Sequence, residues 1–258
     1  MKRGQFTPFV ILGLFIIMII GVVLYYYRGQ LLGQRETAIG EEIVLSEEAE
    51  EYYDAVQACA EWSTDIALVN VGVQGGYATV PEPYYDTGIN RIPYYVYLGK
   101  VGNVPDEDAF LDAFVQEFNQ SFTTCVSTIT GFDEEFRTTG ELEYSATLNE
   151  ERLSLEVIAP FSLALEDDVY YFEEFKISRT FPGESIFSSV QLIIDAHEED
   201  FNSVPFSLLL EHFAGSESTI ELNRENDTVL YSIVYRNSSL NNLDYHFNFL
   251  IKYDWETT

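Results

Sequence analysis

Pro105-Asp-Glu-Asp-Ala-Phe110-Leu-Asp-Ala-Phe114-Val-Gln-Glu-Phe118-Asn-Gln-Ser-Phe122-Thr-Thr-Cys125 gives way, after Gly131, to Glu141-Leu-Glu-Tyr-Ser-Ala-Thr-Leu148. The first stretch places a phenylalanine at every fourth position and a cysteine three further on, which is one face of an α-helix. The second alternates polar and apolar residues with period two, which is a half-buried strand. Helices followed by strands predict the α+β class.

Upstream of the phenylalanine helix the sequence predicts another. Ser46 is its N-cap, and Glu47, Glu48, Glu50 and Glu51 follow, where negative charge suits the helix dipole. Tyr52, Val56, Cys59, Ser63, Ile66, Val69 and Val73 then recur at helical spacing, with a stop at Gly72 or at Gly75-Gly76. Pro105 reads as the first residue of the second helix, with Asp106, Glu107 and Asp108 in its first turn. Cys59 and Cys125 thus fall on two apolar helix faces. A bond between them closes a loop of about 65 residues and is worth about 4 kcal/mol in the chain-entropy model. The alternative is two buried thiols that pack as small hydrophobes.

Gly76–Pro81 reads as a short extended segment, and Ile92–Leu98 as a tyrosine-rich second one that is a candidate partner for it. Beyond Gly131 the pattern is a meander. Asn149-Glu150-Glu151 is a turn, Arg152–Ile158 alternates, Pro160 interrupts, and Phe161–Leu165 resumes. Asp167-Asp168 turns the chain into Tyr170–Ile177. Pro182–Asp200 reads as a helix with Ile186, Val190, Ile193, Ile194 and His197 on one side, and Val204–Phe213 as a shorter one opening at Pro205. Strands at Thr219–Leu222, Val229–Tyr235 and His246–Tyr253 complete an antiparallel sheet with a helical insert.

The chain has 258 residues, with 13 Lys+Arg against 43 Asp+Glu and a formal net charge of -30. Lys2, Arg3, Arg28 and Arg35 make residues 1–35 a +4 head without acids, so 36–258 carry -34. So acidic a surface excludes nucleic-acid binding by counterion release. An apolar fraction of 47% and 15% aromatics exclude a disordered acidic tail. Only Lys2, Lys100, Lys176 and Lys252 are lysines. Many acids with few lysines predict a protein that works in high salt, where self-repulsion is screened within about 3 Å at 1 M.

Phe9 to Tyr27 is an uncharged run of 19 residues. At 1.5 Å per residue it spans roughly 28 Å, enough for a hydrocarbon core of about 30 Å. It is longer than a signal-peptide core and ends in Tyr25, Tyr26 and Tyr27, an interfacial belt. The expected organisation is a cytoplasmic N-terminus (1–8), a transmembrane helix (9–27), a juxtamembrane connector (28–45) and an extracytoplasmic α+β domain (46–258) with a sub-boundary near 131. The membrane is thus the expected partner of Phe9 to Tyr27, at the cell membrane. An even cysteine count and the sequons at Asn119, Asn226 and Asn237 agree with an outside domain. Asn226 and Asn237 are the glycosylation candidates, while Asn119 reads as a helix position.

No HExxH, Walker loop, GxGxxG or GxSxG motif occurs in the sequence. His197-Glu198-Glu199-Asp200 sits on a predicted helix, where consecutive residues point in different directions. No catalytic, cofactor-binding or metal-binding residue is assigned, and the expectation is a structural or interaction protein at the cell surface that is not an enzyme, with an extracytoplasmic enzyme whose site is unrecognised as an alternative. Tyr84, Tyr85, Tyr94, Tyr95 and Tyr97 form the densest aromatic stretch of the outer region, and Pro81–Leu98 is the candidate interaction loop.

Lys2-Arg3-Gly4-Gln5-Phe6-Thr7 before the apolar run resembles the class III signal of archaeal type IV pilin-like proteins, which implies cleavage between Gly4 and Gln5. Such pilins commonly carry a glutamate early in the mature segment, where this chain has Pro8 and Phe9. A wider resemblance covers the cysteine-bearing helices, Val73-Gln74-Gly75-Gly76-Tyr77 and Ala159-Pro160. These look like a family of uncharacterised single-pass membrane proteins of small-genome archaea, halophilic ones included. That resemblance implies a location and no chemistry.

Overall fold

The computed structural model describes residues 46–132, 136–149, 151–165, 168–236, 240 and 244–255. These belong to one compact unit, Leu45–Thr258. The helix expected over 9–27 and the connector 28–45 lie outside the described residues. Among the described residues no helix is long and apolar enough to cross a membrane.

Helix α1 (Glu47–Val73) starts as its sequence dictates, with Ser46 Oγ accepting the Ala49 N–H at 3.2 Å. It stops because Gly75 and Gly76 turn the chain at φ +60° and +80°. A Cβ on Gly75 would lie 2.6 Å from the Pro93 ring and 2.7 Å from the Asn248 carbonyl oxygen. Helix α2 (Glu107–Phe132) starts two residues later than the proline suggested. Asp106 caps it, its Oδ1 accepting the Ala109 N–H at 2.9 Å, so Pro105 stands outside the helix. Phe110, Phe114, Phe118 and Phe122 are all fully buried, as the four-residue spacing predicted. Each contributes about 2–3 kcal/mol by burial. Cys59 and Cys125 are disulfide-bonded across the two helices, with Cα atoms 5.7 Å apart.

The predicted meander is one of two sheets. It contains β4 (Phe136–Thr138), β5 (Glu143–Asn149), β6 (Arg152–Leu165) and β7 (Asp168–Thr180). Strand β7 runs antiparallel along one edge of β6. On the other edge β5 and β4 lie end to end, β5 against 152–158 and β4 against 161–163. The expected interruption at Pro160 is instead a bulge inside one 14-residue strand. Proline has no N–H to give. Here neither ladder asks for one, because Ala159-Pro160 faces the gap between β4 and β5. The Pro160 carbonyl still accepts the Thr139 N–H at 2.7 Å and its hydroxyl at 3.0 Å.

The other sheet repeats the device. Strands β1 (Tyr84–Asp86) and β3 (Lys100–Val101) lie end to end along one edge of β2 (Arg91–Tyr97). The order continues through β10 (Tyr245–Lys252), β9 (Thr228–Tyr235) and β8 (Ser218–Glu225). Two expectations are corrected here. The single antiparallel sheet becomes two sheets, and β2 pairs with β10 in parallel. A parallel pair needs a long crossover, and everything from α2 to β9 supplies it. Gly76–Pro81 forms no strand, since β1 takes the edge it was expected to occupy.

Helix α3 (Gly183–Glu199) packs on the inner face of this sheet, where Phe187 meets Phe247 edge-on. Helix α4 (Phe206–Phe213) rests against β8 with only Leu209 buried. Helix α1 touches both sheets. Tyr53 stacks on Phe175 of β7, and Arg179 Nε of β7 donates to Asp65 Oδ1 of α1 at 2.7 Å. At its far end, Gly72 approaches β10 so closely that a Cβ would lie 2.5 Å from the His246 carbonyl oxygen.

Candidate functional site

The β1–β2–β3 edge carries the tyrosine stretch, and the structure divides it. Tyr85 and Tyr97 are exposed, Tyr84 and Tyr94 half-buried. Tyr95 belongs to the core: it is fully buried, stacks on Phe249 with centroids 4.6 Å apart, and donates to the Gly75 carbonyl at 2.6 Å. It is removed from the candidate contact residues. The cause is local. The β2–β10 register shifts by one residue, Leu250 facing Tyr94 and Ile251 facing Val96. Tyr95 is the extra residue of that bulge, so it and Val96 both point inward.

Two turns present apolar side chains from this edge. The β1–β2 turn holds Ile89 at 91% exposure; its fold comes from Thr87, whose hydroxyl donates to the Asn90 carbonyl. The β2–β3 turn is Leu98-Gly99, both at positive φ, +50° and +74°. That two-residue geometry suits Asn-Gly or Asp-Gly. A leucine there is strained by about 1 kcal/mol. Leu98 nonetheless presents its side chain at 45% exposure, and its N–H donates to the Lys252 carbonyl at 2.9 Å. Glu82, Pro83 and Tyr84 line a shallow groove of ≈ 410 Å³ beside β1. The ring faces are partly engaged: Arg91 sits 4.7 Å above Tyr84, and Lys252 lies 5.9 Å from the centre of Tyr97. Other exposed apolar residues are Val101 on β3, Trp62 on α1, Ile158, Val169 and Tyr171 on the β4–β7 sheet, and Phe206 and Leu210 on α4.

The histidines have specific partners. Ser189 Oγ and His212 Nε2 are 2.8 Å apart, a spacing seen in nucleophile–base pairs. However, Ser189 is buried on α3 and its hydroxyl also reaches the Ser185 carbonyl at 2.7 Å, which can only accept. With the hydroxyl proton held there, His212 donates to Ser189, and the pair ties α4 to α3. His246 Nδ1 lies 3.3 Å from Ser232 Oγ.

His197 is fully buried rather than part of a carboxylate cluster. Glu198, Glu199 and Asp200 beside it are exposed. Its Nδ1 is 2.7 Å from the Ile193 carbonyl oxygen, and its Nε2 is 2.7 Å from Tyr253 Oη and 3.3 Å from Tyr231 Oη. The two phenol oxygens are 2.7 Å apart. Burial pulls the His197 pKa below its ordinary value, pushes Tyr253 up to about 12, and raises Tyr231 further. Among the described residues no group of three or more His, Cys, Asp or Glu is placed to hold a metal ion.

Asn226 occupies the β8–β9 turn at φ +54°, exposed. Asn119 is exposed on α2, its Oδ1 accepting the Tyr144 hydroxyl at 2.8 Å. Asn237 lies outside the described residues. Sequence reasoning missed the His197–Tyr253 and Ser189–His212 pairs, which are 56 and 23 residues apart and follow no periodic signal. The chain matches no known family model, no curated protein and no solved structure.

Proposed function

We propose that the chain is a membrane-anchored extracytoplasmic protein acting through contacts at the cell surface, with the β1–β2–β3 edge as its contact surface. Leu98 carries this reading: a strained turn exposes a leucine where an asparagine would sit more easily, which supports a partner at this edge. Ile89 and Tyr85 extend the same edge. The anchor rests on the apolar run Phe9 to Tyr27, and the outside placement on the Cys59–Cys125 disulfide and the accessible Asn226 sequon. The acid excess supports a salt-rich setting. Melting temperature in molar KCl is expected to exceed that in dilute buffer, and an unchanged value counts against salt adaptation.

A photo-crosslinking amino acid at position 85, 89 or 98 tests the contact surface in native membranes. A discrete adduct is expected there and not at position 225 on the far sheet edge. Adducts only at 225 would refute the surface. The Lys2-Arg3-Gly4-Gln5 start supports a second reading, a pilin-like subunit processed after Gly4. Mass spectrometry separates the two: a mature chain beginning at Gln5 favours the pilin reading, an intact start the anchor.

A further inference from the structure

Every hydrogen in the His197 cluster finds an acceptor, and the shortest contacts order them. A carbonyl oxygen only accepts, so Nδ1 carries the proton donated to Ile193. In the neutral ring Nε2 is then an acceptor, and the Tyr253 hydroxyl donates to it. The Tyr231 hydroxyl in turn donates to Tyr253 Oη. Three donors meet three acceptors, all in residues with no exposure.

One more proton breaks this order. In imidazolium both ring nitrogens donate, so Nε2–H must bond to Tyr253 Oη. The Tyr253 hydroxyl then turns to Tyr231 Oη, and the Tyr231 hydroxyl is left without an acceptor in the cluster. Protonation therefore buries a charge and strands a buried hydroxyl at once, each costly in a low-dielectric interior. No carboxylate of the cluster compensates. Tyr231 faces the ring from β9, and Tyr253 from the segment after β10. The anion whose charge reaches the ring is Asp200 at the helix end, which is exposed and already bonded to Ser203 Oγ at 2.6 Å.

The cluster also ties distant parts of the chain. Trp255 stacks on Tyr253 at 4.2 Å, donates from Nε1 to the Asn202 carbonyl at 2.7 Å, and lies 4.1 Å beneath the Arg224 guanidinium of β8. We propose that His197, Tyr253 and Tyr231 form an acid-released clasp that fastens the C-terminal segment Tyr253–Trp255 to α3 and β9. In its closed state the ring is neutral. Folding favours the neutral form, so the clasp's contribution is complete above the unfolded-state histidine value of about 6.5 and is lost as pH falls below it. Lys252, the residue before Tyr253, pairs with Tyr97 and accepts the Leu98 N–H. Opening the clasp therefore loosens the Leu98 turn, a consequence that matters for function only on the contact-surface reading above.

The test needs no partner, so its failure and that of the contact surface are separable. The chain has two tryptophans, Trp62 and Trp255. In the full-length Trp62→Phe chain, in detergent at constant ionic strength, Trp255 fluorescence and acrylamide quenching are followed from pH 8 to 5. NMR of the same sample follows the His197 ring. The expected result is a neutral Nδ1–H ring at pH 7, a His197 midpoint below about 6.5, and a several-fold rise in quenching with that same midpoint. His197→Gln should abolish the transition. A His197 midpoint at or above 6.5, a Trp255 silent across the His197 midpoint, or a transition that persists in His197→Gln would each overturn the proposal. Should His197→Gln not fold, the two wild-type-histidine titrations decide alone.

Discussion

Replacing both cysteines with alanine removes a cross-link between residues 66 apart in sequence. The chain-entropy model gives about 4 kcal/mol for a loop of that length, through greater freedom of the unfolded chain. The loss of the Cys59 sulfur from a 5% exposed site adds up to about 1 kcal/mol. The helices keep contacts that do not involve sulfur: Asn70 of α1 donates to Glu117 Oε2 of α2 at 3.2 Å, and Phe118 and Phe122 hold α2 against Tyr144 of β5. The effect should therefore appear as lost stability with native secondary structure retained. For a urea m-value of about 3 kcal/mol/M, the midpoint falls by roughly 1.5 M, and m itself rises as the unfolded ensemble expands. Urea titration of the full-length chain by far-UV circular dichroism reads both quantities. Wild-type protein treated with reductant should show most of the same shift. A loss below about 1 kcal/mol in the double variant, or no response to reductant, would refute the cross-link as a main stabilising element.

Leu98→Asn should raise stability by about 1 kcal/mol, since asparagine tolerates the φ of +50° that strains leucine; if the contact surface is real, the same variant loses the crosslink at position 89, which a purely structural turn would keep. Asp65→Asn should cost roughly 2 kcal/mol, because Arg179, 16% exposed, loses the carboxylate charge paired with it at 2.7 Å and keeps the Glu61 carboxylate at 3.7 Å and the Glu61 and Ser178 carbonyls at 3.4 and 3.3 Å. The paired change Asp65→Leu with Arg179→Met should come back to near wild type in thermal melts, and a loss as large as in Asp65→Asn would contradict the buried-charge account. Phe118→Ala, emptying a fully buried site, should cost about 3–5 kcal/mol in urea unfolding, and a cost under 1 would place Phe118 outside the core.

The long helices were legible because capping and period act within a few residues. Ser46 caps α1 and four phenylalanines bury along α2 as their spacing requires. The strands with clean alternation, β5 to β7, were legible for the same reason. What was not legible is non-local. Phe136-Arg137-Thr138 is too short to show a period, and exists as β4 only because the end of β6 offers it an edge. The parallel pairing of β2 with β10 joins segments about 150 residues apart by the strand ranges, and alternation says which face a residue takes but not which strand lies beside it. Tyr95 was misplaced among contact residues because a bulge reverses the alternation after it. On α3 the buried side of His197 was readable from Ile186, Val190, Ile193 and Ile194, whereas its two tyrosines arrive from β9 and from beyond β10.

The end-to-end strands limit how sheet edges of this chain can pair with those of its own copies. A free sheet edge is a template for another molecule's backbone. Acidic proteins usually resist such pairing by repulsion, and the edge strands β7 and β8 do carry Glu173, Glu174, Glu221 and Glu225. Repulsion fades in molar salt, where charges are screened within about 3 Å. Geometry does not fade. An incoming strand laid along β1 and β3, or along β4 and β5, finds at most seven continuous residues before it meets a gap and a bulge. On those two edges the protection against fibre-like stacking is built into the backbone, and no ion concentration switches it off.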